Sequence, residues 1–174
     1  MLLADIRQKL AYNPNAQPTQ KQATRTWLNS TSSDYQLALT LTIKQTVEIK
    51  NANGISYKRI DRDEIRRIAT HFTHKLNKQV FGVSAAKSGR KSLKYFVVIE
   101  GERTFKNLHI HMAIGGLDKH TQWWKFDELV RNAKRSVIEL DEQHELNIMD
   151  SGWMDYITKE LGKNDTDNVL WELA

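Results

Sequence analysis

The amino-acid sequence predicts an α+β fold with a central antiparallel sheet. Residues 95–100 and 108–116 are rich in β-branched and aromatic side chains, and the second stretch alternates in polarity, which is typical of two neighbouring strands joined by a short connection. Residues 61–78 and 123–137 instead repeat apolar side chains at intervals of three and four positions, which predicts amphipathic helices. We therefore expect one layer of strands with helices packed on it.

The beginning of the chain predicts little regular structure. Residues 1–24 are polar and contain both prolines, Pro14 and Pro18, so we expect a short helix and an irregular N-terminal arm. The remaining residues, 25–174, are enough for a single domain with one hydrophobic core.

The first strand is predicted at residues 35–44. Every second residue from Leu37 to Ile43 is apolar, whereas Thr40 and Thr42 lie on the opposite face. Their small hydroxyl side chains leave room for a ligand against the sheet. A turn signal at residues 51–54 then predicts a small hairpin.

The first long helix is predicted to begin at Asp61. The Asp61 carboxylate can cap the helix, and Glu64 three residues later completes a capping box. The apolar side chains of this helix share one stripe: Ile65, Ile68, Ala69, Phe72 and Leu76. His71 and His74 project from the opposite side among basic residues, and we interpret them as a solvated basic face rather than as metal ligands.

A basic loop at residues 87–94 precedes the strand at residues 95–100. Its lysine and arginine side chains can neutralise phosphates without reading a base sequence, or the loop can be a solvated connection, and both interpretations stay open. Beyond the second helix, residues 144–149 predict a short final strand.

Two histidines mark the strand at residues 108–116 as the centre of a candidate metal site. His109 and His111 point to one face of this strand, about 7 Å apart, while Leu108, Ile110 and Met112 point to the other. Glu100 ends the preceding strand, where it can supply a carboxylate. Two nitrogens and one oxygen leave coordination positions open, which suits a catalytic divalent ion. The alternative is a pair of solvated imidazoles.

The last informative stretch is a helix predicted at residues 151–161. At 100° per residue, Tyr156 shares a ridge with Lys159 and Lys163, beside the apolar stripe that contains Trp153 and Ile157. A lysine beside a phenol can stabilise the phenolate and an attacked phosphate. A tyrosine that merely anchors the helix is the alternative interpretation.

Composition narrows the classes of function. The 174 residues contain no cysteine, which excludes disulfides and cysteine nucleophiles and is compatible with an intracellular compartment. The net charge of +5 makes an anionic partner plausible. Because no apolar run approaches the length of a membrane span, and charge interrupts the first residues too early for a signal peptide, we expect no membrane partner.

In combination, these motifs resemble the HUH endonuclease superfamily, and most closely its rolling-circle replication initiators, the Rep proteins of plasmids and small single-stranded DNA viruses. The three matching motifs lie in the family's order: the Thr-containing strand Leu39-Thr40-Leu41-Thr42, the strand His109-Ile110-His111, and the helix Tyr156-Ile157-Thr158-Lys159. The resemblance covers residues 35–162. It implies a central sheet of about five antiparallel strands, related to the ferredoxin and RNA-recognition-motif arrangement, with helices on one face and a metal site on the other.

The resemblance also implies the chemistry. A Mg²⁺ or Mn²⁺ ion would be held by Glu100, His109 and His111, and Tyr156 would attack single-stranded DNA with help from Lys159, giving a 5′-phosphotyrosine link. The substrate would be an origin strand, associated with a hairpin, in a bacterial cytoplasm or, for a eukaryotic virus, a nucleus. Candidate DNA-contacting residues are Thr40, Thr42, Lys87, Arg90, Lys91, Lys94 and Lys163.

One departure from the family concerns the number of tyrosines. Some members carry a second catalytic tyrosine one turn on, where this sequence has Glu160, so a single-tyrosine enzyme is expected. The sequence also lacks a P-loop, which leaves any unwinding to a domain missing from this sequence or to a separate helicase. Two alternatives remain: a single-tyrosine HUH transposase with the same chemistry, and a non-catalytic nucleic-acid-binding module, for which aromatic side chains on the open sheet face would be expected.

Overall fold

The computed structural model describes residues 18–52, 54–101, 107–118, 122–150, 152–161 and 168–174. The helices within these ranges are α1 (Gln20–Thr31), α2 (Arg62–Phe81), α3 (Val83–Lys87), α4 (Trp123–Lys134) and α5 (Trp153–Ile157). The strands are β1 (Tyr35–Ile43), β2 (Thr46–Asn51), β3 (Gly54–Arg59), β4 (Lys94–Glu100), β5 (His109–Gly115) and β6 (Leu140–Ile148). Short 3-10 turns follow α1 and end the chain.

The main sheet has four antiparallel strands in the order β4-β5-β1-β6, and β2 and β3 form a separate two-stranded hairpin. The predicted α+β class with a ferredoxin-like antiparallel sheet is confirmed, with four strands instead of about five. The side chains of this hairpin are almost all exposed, and Val47 packs against the larger core. At the β4 edge of the main sheet, Val169 forms an isolated antiparallel bridge with Val98, which covers part of this edge strand.

Alternation along the strands builds the larger core on one face of the sheet. The buried side chains of β1, β4 and β5 on this face meet α2 and α4: Leu39, Leu41, Val97, Ile99, Ile110, Met112, Phe72, Leu76, Phe126 and Val130. Helix α2 begins at the predicted capping box, because the Asp61 carboxylate accepts from the Glu64 amide at 2.9 Å and the Glu64 side chain accepts from the Asp61 amide at 3.1 Å. Among the described residues, no helix has both the length and the apolar character to span a membrane.

The opposite face of the sheet is also covered in part by helices, unlike the predicted one-sided packing. Leu28 of α1 and Ile157 of α5 pack with Phe96, Val98 and Ala113, whose side chains alternate with those of the larger core. The sequence analysis did not identify α1, and the predicted end of the arm at residue 24 falls inside it. The signal was present: Thr19 and Gln22 form a capping box.

Two other predicted elements have different lengths in the structure. The final strand β6 starts at Leu140 rather than at residue 144. The last helix covers only Trp153–Ile157 of the predicted 151–161, and turns follow it. Within those turns, the Thr158 hydroxyl donates to the Met154 carbonyl at 2.7 Å, which satisfies a carbonyl near the helix end.

Gly115 provides a test of how closely β5 approaches β1. A Cβ atom at this position would collide with the carbonyl oxygen of Asp34 and would lie 2.9 Å from its carbonyl carbon. Because both are backbone atoms, relief requires the strands to move apart, and we expect Gly115→Ala to lower the free energy of unfolding by about 3 kcal/mol.

Urea denaturation followed by circular dichroism measures this change. Gly152→Ala is the control, since its Cβ would meet only the Asp150 carboxylate at 3.4 Å. Equal stability of the two variants would show that β5 and β1 are not so tightly apposed.

Candidate active site

The candidate metal ligands lie together on the face of the sheet opposite the larger core. Glu100 pairs with His109 across β4 and β5, and His111 follows two residues later on the same face. Glu100 Oε2 is 3.0 Å from His111 Nε2 and 3.6 Å from His109 Nε2. The hairpin register therefore converts the sequence motif into one compact group of ligand atoms.

The spacing of this group fits a metal ion. Three ligand atoms, one each from Glu100, His109 and His111, lie within 4.8 Å of one another. Atoms that bind one ion at about 2.1 Å lie roughly 3.0 Å apart at octahedral angles and roughly 3.4 Å apart at tetrahedral angles. The three side chains could thus hold a metal ion with little movement, leaving other coordination positions for water or substrate.

Hydrogen bonds orient both imidazoles toward that position. His109 Nδ1 lies 2.7 Å from the Asn107 carbonyl oxygen, which can only accept, so Nδ1 carries a proton and the neutral imidazole would present its lone pair at Nε2. His111 Nδ1 lies 3.0 Å from Thr40 Oγ1. The Thr40 hydroxyl can donate to His111 or accept from it, so it can support the tautomer whose Nε2 binds a metal.

Burial and charge determine the protonation of the group. Burial would raise the pKa of Glu100, but the hydrogen bond and charge of Lys159, with smaller effects of the two histidines, hold it below its usual value. Burial also lowers the pKa of His111 to about 4, assisted by the charge of His109 and opposed by Glu100. At neutral pH the site therefore presents a carboxylate and a neutral His111, the forms that bind metals.

Lys159 joins this group to the predicted nucleophile. Its Nζ is 3.0 Å from Glu100 Oε1 and 3.7 Å from the centre of the Tyr156 ring. Burial would lower the pKa of Lys159, but the hydrogen bond with Glu100 raises it above its usual value, so the side chain is a cation at neutral pH.

Tyr156 stands at the rim of the site with its ring fixed by neighbours. Its ring centre is 5.2 Å from that of His111, and it stacks on Trp153 at 5.4 Å with the ring planes 22° apart. Tyr156 remains 45% exposed, so an approaching substrate can reach it. Met154 and Ile157 hold α5 in this position, since both are buried between the helix and the sheet.

Helix α1 fixes the segment that carries Tyr156 and Lys159, a role that the sequence analysis missed. Arg25 donates to Thr158 Oγ1 at 2.9 Å and to the Asp155 carbonyl at 3.0 Å. Lys21 Nζ donates to the Lys159 carbonyl at 2.7 Å. Three hydrogen bonds from one helix therefore anchor the short segment.

The histidines and Tyr156 open into one groove of about 500 Å³, which is lined by Thr40, His109, His111, Glu145, Asn147, Asp150, Gly152, Trp153 and Tyr156. Glu145 and Asn147 of β6, and Asp150 and Trp153 beyond it, were not predicted as site residues. The alternation of β6 could have identified Glu145, because it pairs with Thr40 in the sheet.

The candidate DNA-contacting residues divide between two places. Thr40 and Thr42 lie opposite His111 and His109 in the register of β1 and β5. Lys87, Arg90, Lys91 and Lys94 precede or begin β4, whose other end carries Glu100; six residues of strand separate the two ends by roughly 20 Å. Lys94 forms an ion pair with Asp34 at 2.7 Å, and Lys163 lies outside the described residues.

Acidification should test the buried state of His111. Because its pKa falls from 6.5 to about 4 on folding, the unfolded chain binds more protons between these values, and the stability conferred by the neutral imidazole is lost as the pH falls through this window. We expect a loss on the order of 3 kcal/mol between pH 7 and pH 4 in metal-free buffer.

Urea titrations at each pH measure the effect, with His71→Gln as the control at an exposed position. His111→Gln should flatten this part of the profile, and an unchanged slope in His111→Gln would assign the pH dependence to another group.

Replacement of Lys159 should change metal affinity. Lys159 neutralises Glu100 and places a positive charge beside the candidate ion position. Lys159→Met removes that repulsion, and we expect Mn²⁺ to bind about tenfold more tightly. Calorimetric titration of Lys159→Met and of the exposed control Lys125→Met measures this. Weaker binding by Lys159→Met would mean that Lys159 holds Glu100 in its ligand position.

No family model, curated protein or solved structure matches the chain. The inference of function therefore rests on the geometry of the site.

Proposed function

We propose that the protein is a metal-dependent endonuclease and strand transferase that acts on single-stranded DNA, with Tyr156 as the nucleophile. The observation that carries this proposal is the position of Lys159 between two groups: its Nζ lies 3.0 Å from Glu100 Oε1 and 3.7 Å from the centre of the Tyr156 ring. A phenol, a cation and three candidate ligands thus meet in one groove, which is a set suited to attack on a phosphodiester.

The role of Lys159 follows from its charge. A phenol with an ordinary pKa near 10 is a weak nucleophile at neutral pH, and a neighbouring cation favours the phenolate. Lys159 is held as a cation by Glu100, so it cannot serve as the general base. It stabilises negative charge on the Tyr156 oxygen and on the attacked phosphate.

Glu100, His109 and His111 would hold Mg²⁺ or Mn²⁺. A carboxylate oxygen with two imidazole nitrogens suits Mn²⁺, and Mg²⁺ accepts a similar set when water and phosphate oxygens complete the coordination. When bound, the ion polarises a phosphate oxygen and orients the scissile group. Thr40 and the Asn107 carbonyl keep the imidazoles directed at it.

The proposed reaction is a transesterification. The Tyr156 oxygen forms a bond to phosphorus, the bond from phosphorus to the 3′ oxygen breaks, the phenol proton passes to solvent, and the departing 3′ oxygen takes up a proton. The product is a 5′-phosphotyrosine and a free 3′-hydroxyl, and attack by a 3′-hydroxyl reverses the step. Because one phosphoester replaces another, joining needs no nucleotide hydrolysis.

The side chains of the groove favour transesterification over non-catalytic nucleic-acid binding of the RNA-recognition-motif type. On this face of the sheet, β1 and β5 present Thr40, Thr42, His109 and His111, and all of these except Thr42 line the groove, whereas stacking platforms present aromatic rings on their strands. The aromatic residues of the groove, Trp153 and Tyr156, lie on α5 instead. Initiation of rolling-circle replication is the biological role that we propose for such a single-tyrosine nicking and joining enzyme.

Tyr156→Phe tests the nucleophile. The variant keeps the ring that stacks on Trp153 and loses only the hydroxyl, so we expect unchanged stability and metal binding but loss of both cleavage and the covalent adduct. The measurement is incubation with labelled single-stranded oligonucleotides and Mn²⁺, followed by denaturing electrophoresis and mass mapping of the DNA-linked peptide.

Tyr57→Phe is the matched control, since Tyr57 is 72% exposed on the β2–β3 hairpin and its loss should leave the adduct intact. Cleavage by Tyr156→Phe, with DNA attached to Tyr12, Tyr35, Tyr57 or Tyr95, would assign the reaction to another nucleophile.

A further inference from the structure

Helix α2 carries a row of basic side chains on the side that faces away from the sheet. Arg67, His71, His74 and Lys78 lie at intervals of four, three and four residues, so they fall within about 60° of arc and span about 16 Å along the helix. The buried residues of α2, such as Phe72 and Leu76, occupy the opposite side. The row therefore faces solvent behind the larger core.

The row continues beyond the end of α2. Lys87 ends the short helix α3, which follows α2 after Gly82 and contacts it. The positive charge of Lys87 is among those that lower the pKa of His74, after burial and the charges of Lys78, His71 and Lys75. Arg90 and Lys91 of the following loop line a hollow together with Val80 and Phe81 at the C-terminal end of α2. We call these side chains the α2 basic surface: His71, His74, Lys75, Lys78, Lys87, Arg90 and Lys91.

The α2 basic surface is not neutralised by neighbouring carboxylates. Within the described residues, none of its lysines or arginines forms an ion pair, whereas Arg67 pairs with Glu64 at 3.5 Å. Asp118 lies at the edge of the hollow beside Arg90 and Lys91. The surface has five lysine and arginine side chains, and the net charge of the whole chain is +5. Positive charge is thus concentrated on α2, α3 and the loop that follows.

This surface is separate from the candidate active site. Helix α2 packs on the larger-core face of the sheet, and the groove with His109 and His111 lies on the other face. One strand layer and one helix diameter give a separation of roughly 20 Å. A single strand in the groove would not contact these cations.

The shape of the surface indicates the kind of polyanion. Stacking of unpaired bases uses exposed aromatic rings, and none of the exposed tryptophan, tyrosine or phenylalanine side chains within the described residues belongs to α2, α3 or the loop at residues 88–93. Insertion into a membrane interface needs apolar side chains beside the charges. On α2, α3 and the loop at residues 88–93, Val83 is the only large apolar side chain that is exposed. A convex helix face with Lys75 and Lys78, continued by Lys87, Arg90 and Lys91 beyond the end of α2, instead presents cations that the closely spaced phosphates of a duplex attract.

We infer that the α2 basic surface binds the phosphate backbone of duplex DNA, independently of base sequence, on the side of the protein opposite the groove. The protein would then hold a duplex and a single strand at the same time, as at a junction between paired and unpaired DNA. The histidines sit within this surface as hydrogen-bond donors to phosphate, alongside the lysines.

Charge reversal on this surface is the test. In the triple variant Lys75→Glu, Lys78→Glu and Lys87→Glu, we expect affinity for a labelled duplex of mixed sequence to fall at least about tenfold, because three phosphate contacts are lost. Fluorescence anisotropy at a series of salt concentrations measures it. In the milder Lys75→Gln, Lys78→Gln and Lys87→Gln variant, the slope of log affinity against log salt should decrease by about 2.7.

The matched control changes net charge equally at exposed positions elsewhere: Lys50→Glu, Arg59→Glu and Arg135→Glu. This control should keep most of the duplex affinity. Equal loss in both triple variants, or unchanged duplex binding in the Lys75, Lys78 and Lys87 variants, would overturn the inference, as would absence of duplex binding by the native protein.

Failure of this inference is distinguishable from failure of the proposed function. The double variant Lys75→Glu and Lys78→Glu should still cut a single-stranded oligonucleotide, and Tyr156→Phe should still bind duplex. Loss of single-strand cutting together with duplex binding in this double variant would mean that one surface serves both, which contradicts two separate sites.

Discussion

The buried carboxylate of Glu100 is the interaction on which the candidate active site depends. Burial of an unpaired charge costs several kcal/mol, so the fold must supply partners for it. Lys159 contacts Oε1 at 3.0 Å and His111 contacts Oε2 at 3.0 Å. These contacts connect the end of β4, the centre of β5 and the turn after α5. The carboxylate therefore aligns the candidate ligands and the nucleophile's helix in one place.

One face of the sheet forms the larger core, and the other face carries the candidate active site. On one face, the alternating apolar residues of β1, β4 and β5 meet α2 and α4 and form the larger core. On the other, α1 and α5 cover the sheet around Phe96, Val98 and Ala113, and Thr40, His109 and His111 line an open groove beside α5. A functional site can form there because a stable core is already provided behind it.

The parts that could be predicted from the sequence depend on local patterns. The alternation around His109 and His111, the hairpin that brings Glu100 opposite His109, and the Asp61 capping box all follow from short-range geometry. The remainder depends on how distant segments meet. The contacts of α1 with residues 155–159 could not be anticipated, because they join segments about 130 residues apart in the chain. The basic loop at residues 87–94 was predicted to contact the same DNA as the metal site, but the length of β4 separates the loop from Glu100.

The central claim is that Glu100, His109 and His111 bind one divalent ion beside Tyr156. Anomalous diffraction from crystals of the protein grown with Mn²⁺ tests it most directly. We expect a single strong peak about 2.1–2.2 Å from Glu100 Oε2 and from the Nε2 atoms of both histidines. A fully occupied Mn²⁺ peak elsewhere on the protein, with Glu100 still paired to Lys159 and no peak between the histidines, would contradict it.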